Sequence, residues 1–292
     1  MGERPESTAA NRQKQFVLGV GAQRAGSSWI YKQFCHHPKV ATGLMKEFHV
    51  WDAITVSACR DFLDRHTYSR DPAKKELRTH LQSDPNAYFD HFAELLESSI
   101  VLSTCDLTPE HAALSEETFL PIQDELAKRG IGIKVIFKLR DPFERCWSTV
   151  RMNRRNAALE GGLLPWAKGF VPEKLHLAIN YRKERYRLAT KYDVTLKRLY
   201  GLFQPERVHV GLFENMFTET ELTRLEKFLG IEFEKGSEKV RANNTQKSMR
   251  IPVWLQRRIV KHSARVYDYC AEHYPQTRDH WPGAALLETI RA

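Results

Sequence analysis

The chain has 292 residues, of which 42% are hydrophobic and 28% are charged, a composition typical of a soluble globular protein with a real core. No segment approaches the roughly 18 consecutive apolar residues of a membrane-spanning helix, and polar residues 1–14 predict a disordered lead rather than a secretory signal. The formal net charge of +9 favours an anionic ligand, although a basic surface without function would have the same charge. No zinc finger or RNP motif is present, so no nucleic-acid partner is predicted.

The five cysteines are widely spaced and form no C-x-x-C pair or zinc-type cluster. They are Cys35, Cys59, Cys105, Cys146 and Cys270. This pattern predicts reduced thiols that pack as small core residues in a cytoplasmic protein, and it predicts no metal site.

An apolar run at residues 16–20 is followed by a glycine-containing segment. The run predicts a buried strand, Gly21 and Gly26 permit a tight turn, and Ser27 and Ser28 can open a helix. A strand, a glycine loop and a helix N-terminus bring several backbone N–H groups together at the positive end of the helix dipole. This segment therefore predicts a site for phosphate or sulfate.

The rest of the chain alternates between helical and extended patterns. Strands are predicted near Val40 and over 100–104, 131–139 and 208–213; helices over 86–98, 115–129, 173–203 (split near Asp193), 220–229 and 252–273 and from Pro142 onward; and loops over 156–172 and 241–250. Such alternation predicts a single α/β domain over residues 15–292, with a mainly parallel sheet and helices on both faces. Ligands bind beyond the carboxyl ends of such strands, where loops 21–28, 105–110 and 140–148 would lie.

Gly21 and Gly26 have the spacing of a Walker A loop. A Walker loop continues with lysine and then serine or threonine, whereas this chain continues with Ser27 and Ser28. The missing lysine disfavours a P-loop kinase or nucleotide hydrolase but leaves it as an alternative.

Two segments together resemble the nucleotide-binding elements of sulfotransferases that use 3′-phosphoadenosine 5′-phosphosulfate (PAPS). Residues 24–29 are similar to the family's 5′-phosphosulfate loop, and Arg140, with Ser148 eight residues later, is similar to its 3′-phosphate element. A third segment, residues 212–216, also matches the family. The resemblance covers residues 16 to about 250 and implies a P-loop NTPase-like sulfotransferase fold with PAPS as donor.

The resemblance implies a set of nucleotide-binding residues. These are Arg24, Ala25, Gly26, Ser27, Ser28 and Trp29 for the 5′-phosphosulfate, Arg140 and Ser148 for the 3′-phosphate, and Lys247 and Arg250 in a segment that faintly resembles the family's C-terminal nucleotide loop. A solvated flexible loop is the alternative for the last pair, and a core position is the alternative for Trp29. Most members carry lysine where this chain has Arg24, so the implied role of Arg24 is electrostatic, because arginine donates protons poorly.

Residues 46–52 resemble the Lys-Glu-x-His-x-x-Asp signature of Golgi-type carbohydrate sulfotransferases and of bacterial relatives. In heparan sulfate O-sulfotransferases the glutamate is the proposed base, which implies that role for Glu47, with His49 sharing or replacing it and Asp52 in support. Pairing of Glu47 with Lys46 on a surface is the alternative.

The segment from Asp106 to Pro109 resembles another part of the bacterial relatives. It implies an active-site role for Asp106, while a local cap is the alternative. The aromatic residue that usually follows is missing near Glu110 and His111, which would alter the acceptor pocket.

These features predict a PAPS-dependent sulfotransferase of the EC 2.8.2 type. It would move a sulfuryl group to a hydroxyl, or less readily an amine, of a carbohydrate or small metabolite. A non-enzymatic protein that binds polyanions on a degenerate sulfotransferase fold is a further alternative. The sequence identifies neither the acceptor nor the oligomeric state.

Overall fold

The computed structural model describes residues 13–64, 71–159, 171–234, 236 and 250–292. Five strands form one sheet, in the order β2-β3-β1-β4-β5, and every strand pair is parallel. The strands are β1 (Gln15–Gly21), β2 (Val40–Ala41), β3 (Ser103–Asp106), β4 (Gly132–Leu139) and β5 (Val208–Leu212). The predicted parallel α/β architecture is therefore confirmed.

Helices account for most of the remaining described residues. They are α1 (Ser27–His36), α2 (Trp51–Thr55), α3 (Asp61–Asp64), α4 (Pro72–Ser83), α5 (Pro85–Leu95), α6 (Glu116–Lys128), α7 (Pro142–Leu159), α8 (Glu173–Asn180), α9 (Glu184–Leu188), α10 (Tyr192–Leu202), α11 (Glu219–Leu229), α12 (Val253–His262), α13 (Ala264–His273), α14 (Thr277–His280) and α15 (Pro282–Arg291). Short 3-10 turns lie at Ser57–Cys59, Pro109–Ala113 and Pro205–Arg207. Within the described ranges, no helix has the length and apolarity needed to cross a bilayer.

The central strand β1 is buried on both faces because successive side chains of a strand point in opposite directions. Phe16 belongs to the larger core cluster and meets Phe92 of α5 edge to face at 4.7 Å between ring centroids. Val17 belongs to the smaller cluster, with Trp29 of α1 and Ile136 of β4. Both faces of the sheet are thus covered by helices, as the unbroken apolar run predicts.

Several predicted boundaries differ from the structure. The second predicted strand, over 100–104, begins at Ser103 and runs to Asp106. The helix predicted over 173–203 is three helices: one break, at 189–191, lies close to the predicted position near Asp193, and a second, unpredicted break lies at 181–183. Asp193 lies in the first turn of α10, where its carboxylate pairs with Arg265 at 2.8 Å. An acidic residue is stabilised there by the helix dipole, so Asp193 marks the start of the helix that follows the break.

Other differences concern loops and the C-terminal helix. The predicted 252–273 helix divides at Ser263 into α12 and α13. Residues 156–159 of the predicted 156–172 loop continue α7, and 160–170 lie outside the described residues. The predicted lead over residues 1–12 and the loop over 241–249 also lie outside them.

The last forty residues brace the junction between β4 and α7. The Asp141 carboxylate, at the start of α7, accepts hydrogen bonds from the Tyr267 hydroxyl (2.9 Å) and the Gly283 N–H (2.7 Å). Trp281 Nε1 donates to Glu214 Oε2 at 3.1 Å, and the backbone N–H of Asp141 donates to Glu214 Oε1 at 3.1 Å. Helices α13 and α15 thereby fix the end of β4, which Arg140 directly follows.

Candidate active site

The glycine loop joins β1 to α1 at the carboxyl edge of the sheet. Gly26 has a φ of 99° and precedes the first turn of α1. A side chain at this position would collide with the Met216 sulfur, so only glycine allows this approach. The loop therefore leaves the helix N-terminus, with Ser27 and Ser28, open to an anion.

Arg24 joins the two predicted halves of the nucleotide site. Its Nε donates to Ser148 Oγ at 3.1 Å, and its carbonyl oxygen accepts from Arg140 Nη1 at 2.7 Å. The Arg140 guanidinium lies over the ring of Phe213, 4.3 Å from its centroid. The glycine loop, the residue after β4 and helix α7 thus bring three predicted nucleotide ligands into contact with one another.

Arg24 lies among more positive charges than those of the predicted site residues. The pKa of Arg24 falls from 12.5 to about 10 because of burial, followed by the charges of Arg140, Arg155 and Arg151. Clustered guanidinium groups repel one another, and a bound anion would relieve the repulsion. Sequence reasoning missed Arg151 and Arg155; the available signal was their spacing of about one and two helical turns from Ser148.

Lys46 reaches the glycine loop from the segment after β2. Its Nζ lies 3.1 Å from Ser28 Oγ and 3.4 Å from Ser27 Oγ. A lysine therefore contacts the loop serines, although no lysine follows Gly26 in the sequence. The predicted sites contain Glu47 beside it but not Lys46 itself.

A line of charged groups continues from Lys46 into the interior. Lys46 Nζ contacts Glu47 Oε1 at 2.5 Å, and Glu47 Oε2 lies 3.5 Å from His49 Nε2. His49 Nδ1 then meets Asp52 Oδ2 at 2.8 Å, and its ring stacks on Phe62 with 3.6 Å between centroids. The Glu47 side chain is 30% exposed, whereas His49 and Asp52 are buried, so Glu47 is the solvent-facing end of this line.

Charge pairing decides which groups in the line are ionised. Burial favours the neutral form of Glu47, but Lys46 and His49 outweigh it and lower the pKa of Glu47 to about 2. Burial likewise opposes the charge on His49, but Asp52 and then Glu47 raise the pKa of His49 to about 10. At neutral pH His49 is therefore an imidazolium that already holds its proton, and Glu47 is a carboxylate that can accept one.

Asp106 is fully buried and is linked through Thr108 to the segment that carries Glu47 and His49. Its Oδ1 accepts from the backbone N–H (3.0 Å) and hydroxyl (2.6 Å) of Thr108, and its Oδ2 accepts from the Tyr88 hydroxyl at 3.0 Å. Thr108 Oγ1 in turn accepts from the backbone N–H groups of Phe48 (3.0 Å) and His49 (3.4 Å). This geometry suits a residue that positions the 46–52 segment.

Glu110 is a buried carboxylate that sequence reasoning gave no role. Its Oε1 accepts from Gln23 Nε2 at 3.1 Å, and burial, reinforced by Glu47 and Asp52, raises its pKa. Ligating atoms of His49, Asp52 and Glu110 lie within 4.8 Å of one another, a spacing that would suit a metal ion. His49 could bind a metal ion only after losing the proton that Asp52 stabilises. We therefore interpret these three side chains as a network of ion pairs and hydrogen bonds and not as a metal site.

The remaining predicted nucleotide residues fall into three groups. Ala25 is buried in the loop, and the Trp29 ring is buried edge to face against Phe217 and Phe233. The Trp29 side chain thus packs in the core. Arg250 is exposed just before α12, and Lys247 lies outside the described residues.

No protein-family model and no curated protein matches this sequence. Among solved structures, a sulfotransferase from Alicyclobacillus acidocaldarius is 18% identical, with a TM-score of 0.54 over 89% of this chain and 94% of that one. A sulfotransferase from Mycobacterium avium is 14% identical, with a TM-score of 0.47 over 90% of this chain and 77% of that one. The first likeness shows that the chain has the P-loop-like α/β fold of sulfotransferases.

Proposed function

We propose that the protein transfers a sulfuryl group from PAPS to a hydroxyl, or less readily an amine, of a carbohydrate or small metabolite. The observation that carries the proposal is the convergence of Arg24, Arg140 and Ser148, joined by hydrogen bonds of 2.7 and 3.1 Å, on a sulfotransferase fold. A donor with separated 5′- and 3′-anionic groups fits a site built from two cationic halves.

Each half supplies a different kind of contact. The glycine loop and the N-terminus of α1, with Ser27, Ser28 and Arg24, would hold the 5′-phosphosulfate through N–H and hydroxyl donors. Arg140 and Ser148 would grip the 3′-phosphate, the arginine through a forked, charge-assisted contact. The fixed positive charges would stabilise the negative charge that builds on the leaving phosphate.

Glu47 is the proposed general base. During transfer the bond from sulfur to the leaving phosphate oxygen breaks, and a new bond forms between sulfur and the acceptor oxygen. The acceptor proton passes to Glu47. His49 is already protonated at neutral pH because its pKa is raised to about 10, so it would orient Glu47 while Asp52 and Asp106 hold the segment in place.

Nucleotide binding tests the proposal directly. Isothermal titration calorimetry with 3′-phosphoadenosine 5′-phosphate (PAP) should give tight binding that Arg140→Ala loses and that Arg278→Ala, an exposed arginine on α14, retains. Absence of PAP binding to the wild-type protein would refute the proposal.

The contact of Lys46 with Ser27 and Ser28 favours one rival, a P-loop kinase or nucleotide hydrolase. That rival predicts a preference for ATP over PAP in the same titration. A polyanion-binding protein without activity predicts PAP or glycan binding but no transfer of labelled sulfate from PAPS to any acceptor in a panel of sugars, phenols and amines.

A further inference from the structure

One buried cation beside the nucleotide site is not part of the arginine–serine pattern. Arg151 is on α7, three residues after Ser148, so the two side chains lie on the same face one turn apart. Only 8% of Arg151 is exposed. Its burial is unusual because arginine is seldom buried without a partner.

Arg151 is held in position by an aromatic ring. Its guanidinium lies over Trp147, 4.7 Å from the ring centroid, and Trp147 is itself fixed by a hydrogen bond from its indole N–H to Glu173. This contact restrains the guanidinium without using its N–H groups, since the ring face attracts the positive charge.

Two donors of this guanidinium are unused. Among the described residues, Arg151 Nε and Nη1 are buried and have no hydrogen-bond partner. Leaving a buried charged donor unpaired is costly. A fixed guanidinium with free donors is therefore prepared for an anion that comes from outside the chain.

The neighbouring charges indicate which anion this is. Burial lowers the pKa of Arg140. The positive charge of Arg151 lowers it further, while the negative charges of Glu144 and Glu214 act in the opposite direction. The pKa of Arg24 responds more strongly to Arg155 than to Arg151. Arg151 thus acts on both Arg24 and Arg140, and its position one helical turn after Ser148 places it on the side of α7 that carries the proposed 3′-phosphate ligand.

We propose that Arg151 is a third ligand of the 3′-phosphate, and that it makes the site select 3′-phosphorylated adenine nucleotides over 5′-AMP. This inference rests on the proposed function. It adds a specificity-determining residue that the sequence pattern lacks.

The test is the affinity for PAP and for 5′-AMP, measured by calorimetry on matched variants. Arg151→Met keeps the unbranched stem that packs on Trp147 but removes the donors, and we expect it to weaken PAP binding by about tenfold to a hundredfold, the range for a hydrogen bond to a charged group. Binding of 5′-AMP should not change, which also shows that the variant is folded. Arg151→Lys should recover part of the PAP affinity, because it keeps the charge but not the fork.

The control is Arg278→Met, which removes the same charge from an exposed position on α14 and should leave both affinities unchanged. If Arg151→Met weakens the binding of PAP and of 5′-AMP equally, or weakens neither, the assignment of Arg151 is overturned while the proposed function stands. A wild-type protein that does not prefer PAP over 5′-AMP would overturn both.

Discussion

The Nε of Arg24 donates a hydrogen bond of 3.1 Å to Oγ of Ser148, a residue 124 positions later in the chain. Arg24 also has a left-handed backbone, with a φ of 69°. The only other non-glycine residue with positive φ in the described ranges is His49, at 52°. Such conformations cost about 1–3 kcal/mol and concentrate at functional sites; here both lie in the proposed active site.

Replacing Glu47, the proposed base, should slow sulfuryl transfer without weakening nucleotide binding. Glu47→Gln should lower turnover by about 10²–10⁴-fold, the usual contribution of a positioned base, with PAP affinity nearly unchanged because Glu47 belongs to neither phosphate half-site. Sulfate transfer and calorimetry on one preparation measure both quantities. Glu94→Gln, an exposed glutamate on α5, is the matched control, and undiminished transfer in Glu47→Gln would place the base elsewhere.

Lys46 should affect both the rate of transfer and the protonation of Glu47. Lys46→Met removes the cation beside Ser27, Ser28 and Glu47, so we expect a fall in kcat and a rise in the pKa of Glu47. The acid limb of the pH–rate profile should therefore move to higher pH. Lys32→Met, on the exposed side of α1, controls for the lost charge; an acid limb that stays in place would refute the Lys46–Glu47 coupling.

Stability should fall as the pH rises above neutrality. The folded protein raises the pKa of His49 from 6.5 to about 10 because Asp52 and Glu47 outweigh burial. Between these pH values the folded state binds more protons than the unfolded state, so the stabilisation is complete below about pH 6.5 and is lost as pH rises towards 10.

Urea unfolding at several pH values, compared with His49→Gln, measures this dependence. The variant should have a flatter profile over that interval, whatever its absolute stability. Equal slopes for wild type and variant between pH 7 and 10 would show that His49 is not protonated in the folded protein.

The junction at Asp141 should be intolerant of a methyl group. A Cβ at Gly283 would collide with the Tyr267 hydroxyl and approach Asp141 Oδ2, so Gly283→Ala should destabilise the protein by about 1–3 kcal/mol, as overpacking does. A methyl group at Gly201, in α10, would meet nothing within 4 Å, and Gly201→Ala should be neutral or slightly stabilising. Thermal denaturation of the Gly283→Ala and Gly201→Ala variants measures this difference in stability. Equal melting temperatures would contradict the prediction.

Local patterns were sufficient for the order of the elements. The apolar run of β1, the glycines after it and the Arg140-Asp141-Pro142 turn depend on residues close in sequence, and the parallel sheet that they predicted is confirmed. Helix divisions were less predictable. One break, at 189–191, lies close to the predicted position near Asp193, whereas the second break, at 181–183, was not predicted.

The sequence by itself determined the fold class and the residues that follow each strand, because periodicity and turn chemistry act over a few neighbours. Only the tertiary structure decided which charges meet. Contacts of Lys46 with the loop serines, of Arg24 with Ser148 and of Tyr267 with Asp141 join distant segments. The protonated state of His49 likewise depends on burial beside two carboxylates, which raise its pKa, and burial is a property of the packed chain.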